Sequence, residues 1–369
     1  MFSLINRSEG TFLFAGALDW LMWDFVVVGA GHIGKEIAKF LSGRGNCLLV
    51  DRNLETLGGW NRCDVLHGSV ESTPELPSMG ALFITALPGS VALKTIERLL
   101  ESGSRVIDVS FYKEDPAMLS GHIRNNALYV PDCGFAPGLS NIIAGHMVRH
   151  LGAESLDIFV GGIPVNPRKP FLHSVTWSVE GLIDEYVRPA RLIVKGKAVE
   201  RDPLDETINY SADGIGALEG FYSDGLRTML TTLGISSLRE ITLRYPGHLD
   251  LMRNLREMGF FDNGGNPGPR KVTESIFARY SDPRDICILD MFSGGREDHR
   301  VQIRDSGSPE MSSMARLTGH TAALVALSIL DKPELRGLIP PEELASDRGM
   351  IQYVLDGLRK EGVSIKVSW

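Results

Sequence analysis

The sequence predicts an α/β protein: a Rossmann-type parallel-sheet domain joined to an α+β substrate domain with a mostly antiparallel sheet. Three observations predict it. A β-branched run, Phe25-Val26-Val27-Val28, feeds straight into a glycine-spaced turn. Apolar strand-length runs then alternate with helical periods up to about residue 140. Beyond that point the segments shorten, alternate in polarity and carry many turn residues.

Taken in order, the first strand has the continuous apolar character of a strand buried on both faces of a parallel sheet. Gly29-Ala30-Gly31-His32-Ile33-Gly34 follows it. Next come a helical period with Ile33, Ile37, Phe40 and Leu41 on one face, and a second strand, Cys47-Leu48-Leu49-Val50, ending at Asp51. Gly29 permits the tight turn, Gly31 lets the backbone approach a pyrophosphate, and Gly34 lets the helix pack on the strand. The helix N-terminus, with His32 and Ile33, meets the phosphate charge. Asp51 stands where a carboxylate accepts both ribose hydroxyls and repels a 2′-phosphate, which selects NAD; Arg52 is the one hint of NADP tolerance. Asp64 is counted with the same cofactor set.

The pattern repeats with strands at residues 81–86, 105–110 and 128–131 and a helix at 91–102. Ligands of open parallel sheets lie beyond the carboxyl ends of the strands. The nicotinamide is therefore expected near Ala86, Leu87 and Pro88, near residues 108–112 and near residues 132–138.

The chain has 369 residues, 43% hydrophobic and 23% charged, which exceeds one hydrophobic core and suits two domains. Its net charge of −8 argues against nucleic-acid and anionic-membrane surfaces. Four scattered cysteines without a CxxC pair fit a reduced, cytoplasmic setting and supply neither a zinc nor a disulfide signature. Residues 1–22 read as an N-terminal extension. They lack a basic stretch before their apolar patch and a small-residue cleavage site, which argues against a signal peptide.

The cofactor domain is expected over residues 23–140 and the substrate and dimerisation domain over 141–310. The latter would hold a helix at 141–150 and strands at 156–161, 173–179, 190–195 and 241–245, closed by 286–292 and 299–304. Residues 311–369 are expected to form helices that return to the Rossmann domain.

The run Val130-Pro131-Asp132-Cys133-Gly134-Phe135-Ala136-Pro137-Gly138-Leu139-Ser140-Asn141 resembles the saccharopine dehydrogenase superfamily, and within it most closely the lysine 6-dehydrogenases. Further similar segments occur in order from about residue 23 to the end. They include Ala86-Leu87-Pro88-Gly89, Asp108-Val109-Ser110-Phe111, Glu185-Tyr186-Val187-Arg188-Pro189, Ser223-Asp224-Gly225-Leu226-Arg227, Leu243-Arg244-Tyr245-Pro246-Gly247-His248 and Arg316-Leu317-Thr318-Gly319. The resemblance implies NAD-dependent oxidative deamination of L-lysine at its 6-amino group by a homodimer. The products would be ammonia, NADH and 2-aminoadipate 6-semialdehyde, which cyclises to piperideine-6-carboxylate. Saccharopine-forming relatives carry Asp where this chain has Ala136, and Arg near its Asp224. Losing a cation and gaining an anion suits a substrate with an amine and no glutamate tail.

Several residues then carry two readings each. Arg244 offers a guanidinium fork for the substrate α-carboxylate, or makes an interdomain ion pair. Asp224 holds the α-ammonium or caps a helix starting near Gly225, and Arg227 pairs with Asp224 or with substrate. Asp108 and Ser110 meet the nicotinamide, or Asp108 caps a turn. His248 is the candidate general base, because oxidation needs a neutral amine and histidine titrates nearest neutral pH; the alternative is a structural histidine. Phe111, Cys133 and Gly134 flank the substrate, although Cys133 also reads as a small buried thiol. Pro137 belongs to the cofactor turn, Asn141 binds cofactor or substrate or caps the helix it begins, and Trp177 walls the lysine methylenes or fills the core. No metal is expected. Two other functions compete: a saccharopine or carboxynorspermidine dehydrogenase, and a non-catalytic dinucleotide sensor.

Overall fold

The computed structural model describes residues 4–6, 12–14, 23–175, 178–262 and 268–369. The chain divides into two compact units, Met1–Ile142 with Leu317–Leu358, and Ile143–Arg316 with Arg359–Trp369.

The first unit contains strands β1 (Leu4–Asn6), β2 (Phe12–Phe14), β3 (Trp23–Val28), β4 (Cys47–Asp51), β5 (Asp64–His67), β6 (Gly80–Thr85), β7 (Arg105–Asp108) and β8 (Leu128–Val130). Across the sheet the order is Gly337–Leu338, β8, β7, β6, β3, β4, β5, β1, β2, and β3 to β8 run parallel. The chain leaves β3 to lay β4 and β5 on one side, then crosses over to lay β6, β7 and β8 on the other. Strand direction of growth thus reverses between β3 and β6, the place where open α/β sheets receive ligands. Continuous apolar strands make this possible: Val26, Leu48, Val50, Phe83 and Val106 are buried together with Ile96, Leu99 and Leu100 of the helix Gly89–Glu101. Each large apolar side chain so buried contributes roughly 1.5–3 kcal/mol. Within the extension, β1 and β2 pair antiparallel, and β1 adds to β5 with Ile5 opposite Leu66.

The second unit is built on β9 (Ala153–Pro164), β10 (Ala190–Val194), β11 (Lys197–Arg201), β12 (Ile208–Ala212), β13 (Gly216–Tyr222), β14 (Ser237–Arg244), β15 (Asp285–Gly295) and β16 (Arg300–Ser306). The sheet is mixed: β14 runs parallel to β9, whereas β15 pairs antiparallel with its other edge. Two expectations are corrected here. Residues 173–175 form no strand; Val175 donates its N–H to the Tyr280 carbonyl at 2.8 Å, beside the aromatic core of Phe171, Tyr186 and Phe277. The last residues do not return to the first unit, because Ser364–Ser368 pairs antiparallel with β16. There Ile365 lies opposite Ile303 and Val367 opposite Val301, so the apolar alternation finds its partner on that edge.

Candidate active site

At the reversal point the three glycines of the first turn differ in what a side chain would meet. Gly29 has φ +107°, and a Cβ there would lie 2.3 Å from the Ala86 carbonyl oxygen. A Cβ on Gly34 would lie 1.8 Å from the Gly29 oxygen, so the close approach of helix and strand requires glycine. Above Gly31 nothing lies within 4 Å. The helix His32–Ser42 starts there with no side-chain cap on its first N–H groups, and Gly31 and His32 are exposed while Ile33 is half-buried. Space, unsatisfied donors and helix polarity all fit a pyrophosphate. Asp51 ends β4 with both oxygens held by backbone: Ala30 donates to Oδ2 at 2.6 Å and Asn53 to Oδ1 at 2.7 Å. Its carboxylate is thereby aimed at the turn, with Arg52 exposed beside it.

Asp64 does not join this group. It opens β5 opposite Leu48 and accepts from the Trp23 indole at 2.9 Å. That is the amino edge of the sheet, whereas cofactors lie at the carboxyl edge.

The next strand ends bring Asp108, Ser110 and residues 132–141 together. Ser110 accepts from the Leu87 N–H at 3.0 Å, tying the Ala86-Leu87-Pro88 loop to the end of β7. Gly89 packs so tightly on the Phe111 carbonyl that a Cβ would sit at 2.3 Å. Asp108 is fully buried. Its Oδ1 accepts from the Thr85 hydroxyl at 2.6 Å and the Ser110 N–H at 3.0 Å, while Oδ2 has no partner. Burial pushes its carboxyl up to about 7, with Asp132 adding to the rise. Cys133, fixed by its N–H to the Asp108 carbonyl at 2.8 Å, is buried beside Asp108 and Asp132. Burial and those carboxylates raise its thiol far above the ordinary value, so it stays protonated. The turn that follows is closed by Gly134 N–H to the Pro137 carbonyl at 3.0 Å. Asn141 Oδ1 accepts from Gly138 at 3.0 Å, and Asn141 Nδ2 donates to Glu342 at 2.9 Å. Asn141 is thus a clamp on the turn, and its partner from 201 positions later carries no local sequence signal.

In the second unit a different constellation forms around β14. Arg244, almost wholly buried, donates through Nη2 to Glu185 at 2.6 Å, through Nε to the Tyr186 hydroxyl at 3.1 Å and through Nη1 to the Leu243 carbonyl at 2.9 Å. Its carboxylate partner therefore lies within its own unit. Tyr186 donates onward to His248 Nε2 at 2.8 Å, and His248 Nδ1 donates to the Phe171 carbonyl at 2.5 Å. A carbonyl only accepts, so the proton sits on Nδ1 and Nε2 must receive Tyr186. Burial, assisted by the Arg244 charge, pushes His248 down to about 3. Neutral and engaged at both nitrogens, His248 is corrected from general base to the end of a buried relay.

Asp224 is likewise committed. Arg191 grips it through Nε at 2.7 Å and Nη2 at 3.0 Å, and Arg188 lies 3.3 Å away. The nearest helix starts only at Met229, so Asp224 neither caps a helix nor waits for an ammonium. Arg227 is buried with φ +51° just before that helix, and Trp177 lies outside the described residues. One group escaped the sequence altogether. Glu240 on β14 accepts from the Ser223 hydroxyl at 2.7 Å, and burial, with Glu185 and Asp224 nearby, pushes it up to about 7.

Residues 134–363 match the family described as the saccharopine dehydrogenase C-terminal domain. Among curated proteins, the alpha-aminoadipic semialdehyde synthase of Arabidopsis thaliana is 22% identical over 53% of this chain and 20% of its own length. The mitochondrial alpha-aminoadipic semialdehyde synthase of Mus musculus is 23% identical over 66% of this chain and 29% of its own length. The chain thus spans less than a third of the curated relatives it matches. Apo saccharopine dehydrogenase (L-Glu forming) from Saccharomyces cerevisiae superposes with a TM-score of 0.73 at 15% identity, over 94% of this chain and 99% of that one, which shows a shared fold. With the match from Gly134 to Val363 taking in well over half of its length, this chain belongs to the saccharopine dehydrogenase C-terminal domain family.

Proposed function

We propose that the protein is a nicotinamide-dependent oxidoreductase acting on an amino-acid amine, and that its reaction is the NAD-dependent oxidative deamination of L-lysine at the 6-amino group. The observation that carries the class is the strand-end edge of the first sheet. An open glycine turn, a backbone-held Asp51 and a fully buried Asp108 with an unpartnered oxygen line the reversal between β3 and β6. The bound dinucleotide supplies the hydride acceptor. Everything else falls to the chain. Asp51 selects the ribose, Ser110 fixes the loop at Leu87, and Asp108 takes the proton that a lysine ammonium must lose before C6 can release hydride. Water then hydrolyses the substrate imine to the semialdehyde and ammonia.

Lysine rests on the ordered resemblance along the chain and on Ala136, which removes a carboxylate from the turn before Pro137. A second reading, cleavage of saccharopine, is favoured by the family match itself. Steady-state assays separate them. NADH formation from lysine and NAD without a keto acid supports the first; turnover of saccharopine with none of lysine replaces it by the second. Calorimetric NAD binding without turnover of lysine, ornithine or saccharopine would demote the chain to a dinucleotide sensor.

A further inference from the structure

The cysteines are scattered in sequence, yet the fold brings two of them together. Cys47 opens β4, and Cys63 stands one residue before β5. The two strands are parallel neighbours in a register that pairs Leu48 with Asp64, so Cys47 and Cys63 face each other one step earlier. Neighbouring strands lie about 4.8 Å apart, inside the ~4.4–6.8 Å separation of Cα atoms that a disulfide spans. Both residues are buried, at 4% and 9% exposure, and the two thiols lie close enough to bias each other's ionisation. The Trp60 indole N–H reaches the same sulfur at 3.3 Å. The neighbouring Cys47 thiol and the Trp60 N–H lower the Cys63 thiol below the ordinary value, while the Cys63 thiol and burial push Cys47 well above it. Asn61 and Arg62, just before Cys63, are exposed. Asp64 also lies near this pair, but in Cys133 and Cys287 burial and neighbouring carboxylates raise the thiol above the ordinary value.

We propose that Cys47 and Cys63 form a redox-active thiol pair that a small disulfide oxidant converts, reversibly, into an intramolecular disulfide. The Cys63 thiolate attacks one sulfur of oxidised glutathione, whose S–S bond breaks, and one glutathione leaves and takes up a proton. Cys47 loses its proton to water and attacks the Cys63 sulfur of the mixed disulfide, expelling the second glutathione, which is protonated in turn. Two electrons pass from the protein thiols to the oxidant, and the two hydrogens end on two glutathione thiols. The covalent ring so closed runs from Cys47 to Cys63 and contains Asp51 and Arg52, the segment given the cofactor ribose above. The thiol chemistry itself needs neither substrate nor cofactor.

The test is oxidation of the whole purified chain by oxidised glutathione at neutral pH, alkylation after unfolding, and peptide mass analysis. The expected result is a Cys47–Cys63 crosslinked peptide that dithiothreitol abolishes, with Cys133 and Cys287 still alkylated. In the Cys47→Ser variant, Cys63 should instead carry glutathione. Wild-type protein in which both thiols remain alkylatable, or in which Cys63 stops at the glutathione adduct, overturns the proposal.

Discussion

Asp108 in the parallel sheet and Glu240 in the mixed sheet are both buried carboxyl groups pushed up to about 7, and burial is the main cause in each. Their surroundings differ. Asp108 is met by neutral donors, the Thr85 hydroxyl and the Ser110 N–H, and keeps one oxygen without a partner at the ligand-receiving end of its strand. Glu240 also leaves one oxygen, Oε2, without a partner, but it lies inside β14 rather than at its end, in a crowd of fixed charges: Asp224 gripped by Arg191, and Glu185 held by Arg244. Asp108 thus stands where a ligand can meet it, whereas Glu240 stands within a strand among charges already paired. Similar titration can therefore mark chemistry in one unit and architecture in the other.

The largest effect expected from this contrast is on turnover. Asp108→Asn should lower kcat by about 10²–10⁴-fold, the usual contribution of a positioned proton acceptor, whereas Glu240→Gln should leave kcat within a few-fold. Wild-type kcat/KM for amine oxidation should rise with pH through about 7 as Asp108 ionises. The stability has the opposite sign. A carboxyl whose folded value is raised from 3.8 to about 7 stabilises the fold fully only below the unfolded value, and loses that contribution as pH rises through 7. Both variants should thus flatten the fall in stability between those limits, as read by urea titration at several pH values. Equal kcat losses in the two would erase the distinction.

Next in size is Arg244→Met. Removing the guanidinium leaves Glu185 facing a buried site and strips Tyr186 of its donor, breaking a pair worth about 3–5 kcal/mol when one partner is lost. The unfolding midpoint in urea should drop accordingly. An unchanged midpoint with a strongly raised KM for lysine would return Arg244 to the substrate site.

The glycine turn separates packing from ligand contact inside one motif. Gly34→Ala forces a Cβ into the Gly29 oxygen and should cost about 1–3 kcal/mol by overpacking. Gly31→Ala meets nothing within 4 Å, so its melting temperature should hold while calorimetric NAD affinity falls. If both variants only lose stability, the open space above Gly31 is not where the pyrophosphate lies.

Legibility in the sequence follows locality. The strand at Phe25, the turn at residues 29–34 and the acid at Asp51 lie within one stretch of chain, where spacing alone encodes the geometry. Val26, Leu48 and Phe83 advertised a sheet buried on both faces in the same way. Glu240 gave no such signal, because a lone acid in a strand is ordinarily solvated and only the tertiary fold buries it. Glu342 against Asn141, and Tyr186 between Arg244 and His248, join segments that no short pattern links. His248 shows the cost of reasoning from residue type. Its ordinary titration range suggested a base, but in the fold burial and the Arg244 charge keep it neutral, and Phe171 and Tyr186 engage both its nitrogens.

The smallest effect, and the sharpest on the cofactor, is expected at Asp51. The carboxylate has two tasks: its Oδ2 receives the Ala30 N–H at 2.6 Å and so braces the glycine turn, and its charge opposes a 2′-phosphate. Asp51→Asn largely separates them: the amide oxygen can still accept from Ala30, only the exposed Asn53 N–H loses its acceptor, and the charge is gone. The melting temperature should therefore fall only slightly, by the loss of one exposed hydrogen bond, and the ratio of NADP to NAD affinity should rise by about tenfold, the equivalent of roughly 1.4 kcal/mol. Arg52→Ala should push the ratio the other way by a smaller factor, because an exposed guanidinium is worth little to a screened phosphate. If Asp51→Asn lowers stability and leaves the ratio unchanged, the carboxylate serves the turn alone and cofactor choice lies with other residues.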